Sequence, residues 1–214
     1  MERNSKAKRW NLLMNNLFEK QPVLDHKLLR LLPMEEVHVK DLFEINDPSV
    51  WNYMLLQVDT LEKMQNWVHA ALTGREHNQI LPYVVQLKET GKIVGTTRIY
   101  GLDFQNHSCE IGSTWYAPEF QRSFVNTACK LTLFQFCFEE LNMIRVQLKT
   151  DERNVRSQKA IERIGAKKEG ILRNERILEN GYIRNACVYS ITAEEWPGVK
   201  KGLLEKEKYY ETRL

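Results

Sequence analysis

What most constrains the fold of this chain is the block from Glu110 to Gly165, in which two strand-like segments each lead into a helix start. "CEIGSTWYAP" (109–118) alternates as a half-buried strand does and stops at Pro118, and "EFQRSFVNTACK" (119–130) then turns into a helix. "IRVQLKT" (144–150) is a second strand, and "DERNVRSQKAIERIG" (151–165) closes the unit. The first four N–H groups of a helix have no partner inside it. Two strands that each feed a helix therefore line up free N–H groups on one side of a sheet, where the helix dipole also favours an anion, and that arrangement suits a phosphorylated ligand. Between the two strands, Val125, Ala128, Cys129, Leu131, Leu133, Phe134, Phe136, Cys137 and Phe138 make the helix 125–140 apolar almost all round, which predicts that it is buried.

Further elements surround this block. "HKLLRLL" (26–32) reads as the first strand, and Pro33 opens the helix "PMEEVHVKDLFEIN". Asp59 with Glu62 reads as a capping box for a helix that aligns Leu61, Met64, Trp67, Val68, Ala71 and Leu72 on one face and stops at Gly74. Residues 81–103 form a hairpin about Glu89-Thr90-Gly91, and residues 167–192 a second one turning at Asn180-Gly181. Thr192 and Glu195 cap a last helix. The sum is α+β, a largely antiparallel sheet with helices from 125 and 154 packed on it. The expected division is an extension over 1–22, partly helical, a domain over 23–193, and a helix with a charged tail over 194–214. In the extension, Trp10, Leu13, Met14, Leu17 and Phe18 have amphipathic spacing.

Composition narrows the class. Apolar residues make up 43% of the 214, enough for a folded core. No apolar run approaches the ~18 residues of a membrane-spanning helix, and "MERNSKAKRW" has no secretory-signal pattern. A cytoplasmic location with no membrane partner is expected. Cys109, Cys129, Cys137 and Cys187 show no CxxC pairing and read as core residues in a reducing compartment. His26, His38, His69, His77 and His107 stand apart from one another, so no metal site and no nucleophile dyad is expected. The net charge of +3 is too small to suggest a nucleic-acid partner. Between Arg145 and Arg176, however, ten basic residues stand against five acidic ones, a local +5. Such a field beside a helix N-terminus suits a compact polyanion, and it equally describes a solvated helix face.

The order, spacing and residue types from Glu110 to Gly165 resemble the acetyl-CoA-binding core of the GNAT N-acetyltransferases, in particular the ribosomal-protein/amino-acid branch. The resemblance extends over about residues 25–198. It rests on Gln121, Val125-Asn126 ahead of the helix, Lys130, the stretch 150–166, and Trp196-Pro197 in "EEWPGVK", which looks structural and packs the last helix on the sheet. It implies the GNAT fold, a mixed, mostly antiparallel sheet with splayed central strands. It also implies acetyl-CoA as co-substrate without a metal, and direct attack by a primary amine in a ternary complex. The implied acceptor is a protein or peptide N-terminus or a small molecule such as an amino acid, polyamine or aminoglycoside, and the implied assembly is a monomer or homodimer. A catalytically weak relative that binds or senses acyl-CoA is the alternative, and an interaction protein using the amphipathic extension is a third reading.

The resemblance also assigns residues. The family's loop at the first helix start is glycine-rich. Here Gln121, Arg122, Ser123, Phe124, Val125, Asn126 and Thr127 take its place, with Arg122 and Phe124 where small residues would let phosphates approach. Side chains that point away leave the N–H groups free, and Arg122 and Ser123 can add contacts of their own. Asn154 and Ser157 correspond to residues that face the pantetheine arm, Asn154 able to donate to and accept from an amide. Ala160 is small enough to let the arm pass. As local structure alone, Asn154 is an N-cap, Ser157 a first-turn polar residue and Gly165 a helix stop. Trp115 and Tyr116 end the strand that runs beside the thioester, and a backbone N–H around Thr114–Tyr116 is the expected oxyanion donor. An attacking amine must be neutral, and an α-amino group with pKa near ~7.7–8.0 needs only a modest base. Glu110, in the family's "EIG" context, is the first candidate for that base, with Glu175 in reserve; its other reading is a solvent-facing strand residue. Ser157 is expected to hydrogen-bond the sulfur.

Overall fold

The computed structural model describes residues 16–211. Eight strands, β1 (Leu24–Asp25), β2 (Leu29–Pro33), β3 (Ile80–Leu87), β4 (Ile93–Asp103), β5 (Ser108–Tyr116), β6 (Arg145–Asp151), β7 (Lys167–Ile177) and β8 (Ile183–Thr192), form one sheet in the order β1-β2-β3-β4-β5-β6-β8-β7. Among the described residues five helices of more than one turn surround it: α1 (Val39–Glu44), α2 (Leu61–Glu76), α3 (Phe124–Gln135), α4 (Val155–Arg163) and α5 (Trp196–Glu211). α3 ends in a π turn over Phe136–Glu140.

Every neighbouring pair of strands is antiparallel except β5 and β6. That parallel pair holds together over three positions only, Ser108 with Arg145, Cys109 with Val146 and Glu110 with Gln147. β5 runs on to Tyr116 and β6 to Asp151 without pairing again, so the middle of the sheet is split. β5 is bent where it leaves its partner. The register with β4 passes from Arg98–Gly112 to Thr96–Trp115, which sets Ser113 and Thr114 against the single residue Thr97. Ser113 takes φ +46 at this bulge, a device that bends a strand and re-aims the side chains beyond it.

Two cores cover the two faces. Alternation along β3 sends Leu81, Tyr83 and Val85 to the face shared with Val125, Leu133 and Phe134 of α3, and Val84 to the face shared with Trp67 and Val68 of α2. α3 is buried on almost every side because α5 lies over it. Trp196 stacks on Phe138 (5.3 Å) and donates through Nε1 to Glu139 Oε1 (2.8 Å). The tryptophan thus docks the last helix on α3, where the sequence pointed to the sheet.

Local differences from the sequence reading have simple causes. Thr60, not Asp59, is the N-cap of α2, accepting the Lys63 N–H, while Asp59 is drawn to the Lys63 ammonium (2.8 Å). Gly74 lies inside α2 instead of ending it, because Ile80 packs where a side chain would stand, 2.5 Å from the position of a Cβ. Pro33 closes β2 and does not open a helix; a 3-10 turn over Glu36–His38 leads into α1. Trp10, Leu13 and Met14 lie outside the described residues, whereas Leu17 and Phe18 pack into the larger core. Among the described residues no helix is long and apolar enough to cross a membrane, and no group of three or more His, Cys, Asp or Glu could hold a metal ion.

Candidate active site

The gap opens where Glu110 stands, and the register surrounds that residue with donors. Tyr100 is its cross-strand partner on β4 and Gln147 its partner on β6. The Tyr100 hydroxyl donates to Oε1 (2.7 Å), while Gln147 Nε2 donates to Oε2 (2.8 Å), which also lies 3.0 Å from Lys149 Nζ. Glu110 is 7% exposed, so it is not the solvent-facing strand residue that was its other reading. Gly112 stands two residues on, on the same face, and a Cβ there would collide with the Tyr100 hydroxyl. The glycine of "EIG" is therefore the space through which the tyrosine reaches the carboxylate.

Lys149 links Glu110 to the reserve carboxylate, since Glu175 lies 3.8 Å from the same ammonium and 3.0 Å from Arg184 Nη2. A bulge brings Glu175 there: Arg173, Asn174 and Glu175 of β7 oppose the single residue Asn185, with Asn174 at φ +52. Beside this network Trp51, Trp67 and Trp115 cluster with ring centroids 5.6–6.3 Å apart. Arg98 lies over Trp67 at 3.8 Å, and burial pulls its guanidinium down to about 10. At the rim the Arg153 guanidinium stacks on Tyr182 (3.6 Å), and the Gln57 N–H donates to Glu179 Oε2 (2.9 Å). The loop after Trp51 and the tip of the β7–β8 hairpin therefore meet over this face.

On the α3 face the two helix starts expected from sequence come together. Arg156 of α4 donates to Gln121 Oε1, joining them across the split, and Gln121 Nε2 donates to the Tyr116 carbonyl (3.1 Å). Ser123 is the N-cap of α3: its hydroxyl accepts the Val125 N–H (3.2 Å) and donates to the Phe120 carbonyl (2.6 Å). One N–H of the turn is thereby consumed, and the N–H groups of Phe124 and Asn126 are left without a helical partner. Arg122 adopts φ +61, so a non-glycine residue takes a glycine-type conformation and the backbone keeps its turn. The Phe124 ring packs against the larger core, away from the turn. Asn126 Oδ1 accepts from the Tyr116 hydroxyl (3.3 Å). Thr127 Oγ1 is buried with no hydrogen-bond partner.

Asn154 caps α4, its Oδ1 accepting the Ser157 N–H (3.0 Å), and its amide NH2 remains available. The Ser157 hydroxyl has no protein partner among the described residues, and Ala160 is half-buried three residues further on. The Ala117 N–H bonds the Val94 carbonyl. Alternation of the antiparallel ladder then turns the N–H of Tyr116 away from β4 and into the gap. The Trp115 ring lies in the smaller core on the opposite face from these turns, and its Nε1 has no partner.

Sequence reasoning missed Tyr100, Gln147, Lys149, Arg98, Lys130 as a buried cation, and Arg156. The spacing of Gln147 and Lys149 put both on one strand face. Which strand that face stands beside was decided by pairing.

Comparison with known proteins identifies the family and the fold. Residues 29–167 match the family model described as an acetyltransferase (GNAT) domain, and the chain belongs to that family. Over 110 residues it is 34% identical to a Bacillus subtilis (strain 168) protein named "Putative ribosomal N-acetyltransferase YdaF", an alignment covering 51% of this chain and 59% of that one. The chain thus spans under two-thirds of that relative's length. A GCN5-related N-acetyltransferase from Brucella melitensis superimposes with a TM-score of 0.81 at 23% identity, over 87% of this chain and 85% of the other. The microcin C7 self-immunity acetyltransferase MccE, solved with acetyl-CoA and AMP, does so with a TM-score of 0.69 at 21% identity, over 78% and 93%. The expected GNAT fold is the fold observed.

Proposed function

We propose that this protein transfers the acetyl group of acetyl-CoA to a primary amine by direct attack within a ternary complex. The observation that carries this reading is the split after the third β5–β6 pair, flanked by two helix starts joined through Arg156 and Gln121. The residues there suit the co-substrate. The N–H groups of Phe124 and Asn126 offer donors to a pyrophosphate, with Arg122 beside them. The Asn154 amide and the Ser157 hydroxyl, which has no partner among the described residues, offer donors to the pantetheine arm and the sulfur.

Acetyl-CoA brings an activated carbonyl; the protein supplies orientation and proton handling. The Tyr116 N–H stabilises charge on the carbonyl oxygen. Glu110 takes the amine's proton, directly or through one water, at the lone pair of Oε1 that Tyr100 leaves open. The acceptor approaches from the face of Trp51, Arg98 and Glu175, opposite the turns. A protein or peptide N-terminus is the leading acceptor, a reading supported by the name of the B. subtilis relative, with small amines as the alternative.

The test is an acetyl-CoA turnover screen against N-terminal peptides, amino acids, polyamines and aminoglycosides, read as released thiol. Release with one class identifies the acceptor. Capture of one turn N–H by Ser123 favours a second reading, a weakly catalytic protein that binds or senses acyl-CoA. Binding of acetyl-CoA by calorimetry with no thiol release from any amine would establish that second reading.

A further inference from the structure

Lys130 is a charge that neither the core nor the reaction described above accounts for. It projects from α3 between Cys129 and Leu131 and is 5% exposed. Its Nζ donates to Thr114 Oγ1 (3.0 Å), and that hydroxyl lies 2.7 Å from Thr97 Oγ1. An ammonium has three N–H groups, and among the described residues one acceptor, Thr114 Oγ1, takes one of them. No ion pair joins it to a carboxylate among the described residues. The groups acting on it are the Cys129 and Cys137 thiols, both driven toward the neutral form, and burial pulls the amine down to about 8. The Tyr116 hydroxyl on the neighbouring strand is engaged by Asn126. A cation at neutral pH therefore stands in the interior without a counter-charge among the described residues, an expensive arrangement for a group with only a structural role.

Its position suggests which charge completes it. Glu110 and Gly112 face Tyr100 on one side of β5, and Ile111 faces the α3 core on the other. The bulge at Ser113 puts Thr114 on the α3 side, in contact with Lys130. The gap thus has a carboxylate on one face and an ammonium on the other. The thioester needs that polarity. The amine nitrogen bonds to the carbonyl carbon and gives up a proton, while the C–S electron pair departs on sulfur.

We propose that Lys130 holds the thiolate of CoA on the α3 face of the gap, with Thr114 fixing its amine. The C–N bond forms, the C–S bond breaks, Glu110 or its water takes the proton, and the sulfur leaves as a thiolate paired with the ammonium until it is protonated and released. This rests on the acetyl-CoA reading of the site. A thiol beside a cation ionises at lower pH than a free one, so the assignment has a readout without turnover. The ultraviolet absorbance of the thiolate is followed for CoA bound to the intact protein, with desulfo-CoA as a binding control. Bound CoA is expected to ionise at least about one pH unit below free CoA, a tenfold gain in thiolate. Lys130→Met should remove that shift while desulfo-CoA binds both proteins alike. Lys130→Gln, which can still bond Thr114 but carries no charge, should remove it as well, separating charge from support of the bulge. Bound CoA that titrates like free CoA in the unmodified protein, or a shift that survives both substitutions, overturns the proposal. Failure of the unmodified protein to bind either CoA or desulfo-CoA overturns the acetyl-CoA reading along with it.

Discussion

Glu110 places the proposed proton transfer on one carboxylate whose two oxygens accept from Tyr100, Gln147 and Lys149. Glu110→Gln keeps the shape but cannot take the proton, and kcat should fall by about 10²–10⁴-fold. Acetyl-CoA affinity should barely change, because the carboxylate lies on the face proposed to take the acceptor. Steady-state kinetics across pH test the role: the loss should shrink as pH rises above the amine's own pKa. A pH-independent loss would leave Glu110 as an anchor for Tyr100 and Lys149. Asn154 has two separable duties. Asn154→Ala should lose the cap, about 1 kcal/mol of stability, and about 1–3 kcal/mol of CoA binding if a pantetheine amide loses its partner. Asn154→Asp should keep the cap but not the amide donor, so urea unfolding and calorimetry should disagree for this variant alone. Arg122, at φ +61, carries a Cβ cost of roughly 1–2 kcal/mol. Arg122→Gly should therefore unfold at a higher urea concentration, and an unchanged or lower midpoint would show that the guanidinium's own contacts outweigh the strain.

β5 does the most to arrange the site at the scale of elements. Its pairing with β6 ends after Glu110, its bulge sends Thr114 to α3, and its far end turns the Tyr116 N–H into the gap. Gly112 ties this geometry to the chemistry. Gly112→Ala should push the Tyr100 hydroxyl off Glu110 and lower kcat about as much as Tyr100→Phe does, and the two changes combined should cost little more than either one, since they break the same contact. Additive losses would show that the glycine acts elsewhere. α3 and α4 depend on each other at their starts, where Arg156 reaches Gln121. The helix starts at 121–127 and 154–157, from two supersecondary units, are thus brought together, as the proposed cofactor site requires.

For the whole molecule, the buried ammonium of Lys130 sets a pH dependence of folding. Its folded pKa, about 8, lies below the unfolded value near ~10.4, so between these pH values the unfolded chain holds more protons. Stability should accordingly rise with pH across that window, by up to about 3 kcal/mol, whereas below pH 8 the full cost of burying the charge remains. Urea unfolding from pH 7 to 10.5 should show this rise relative to Lys130→Met; parallel curves for the two proteins would mean that the amine is solvated or paired in solution.

The sequence by itself determined the order of elements from β3 onward, the hairpin turns at Gly91 and Gly181, the burial of α3 and the placing of both helix starts. These follow from side-chain period, capping residues and turn residues, all of which act within a few positions of the chain. Glu110, Asn154 and Ser157 lie in one strand–helix–strand–helix stretch of the chain; the roles proposed for them came from the family resemblance. Only the tertiary structure decided that Glu110 is surrounded by Tyr100, Gln147 and Lys149, that Glu175 joins the same network, and that Lys130 lies buried with no carboxylate beside it among the described residues. The same locality explains the errors at Asp59, Gly74 and Pro33, where Thr60 and Ile80 settled the cap and the packing and the pairing of Pro33 with Tyr83 extended the strand. A side chain's rotamer and secondary structure are written nearby, but the charge, solvent and partners around it come from strands whose register is fixed by the whole sheet, and register is what turned a set of polar residues into a site.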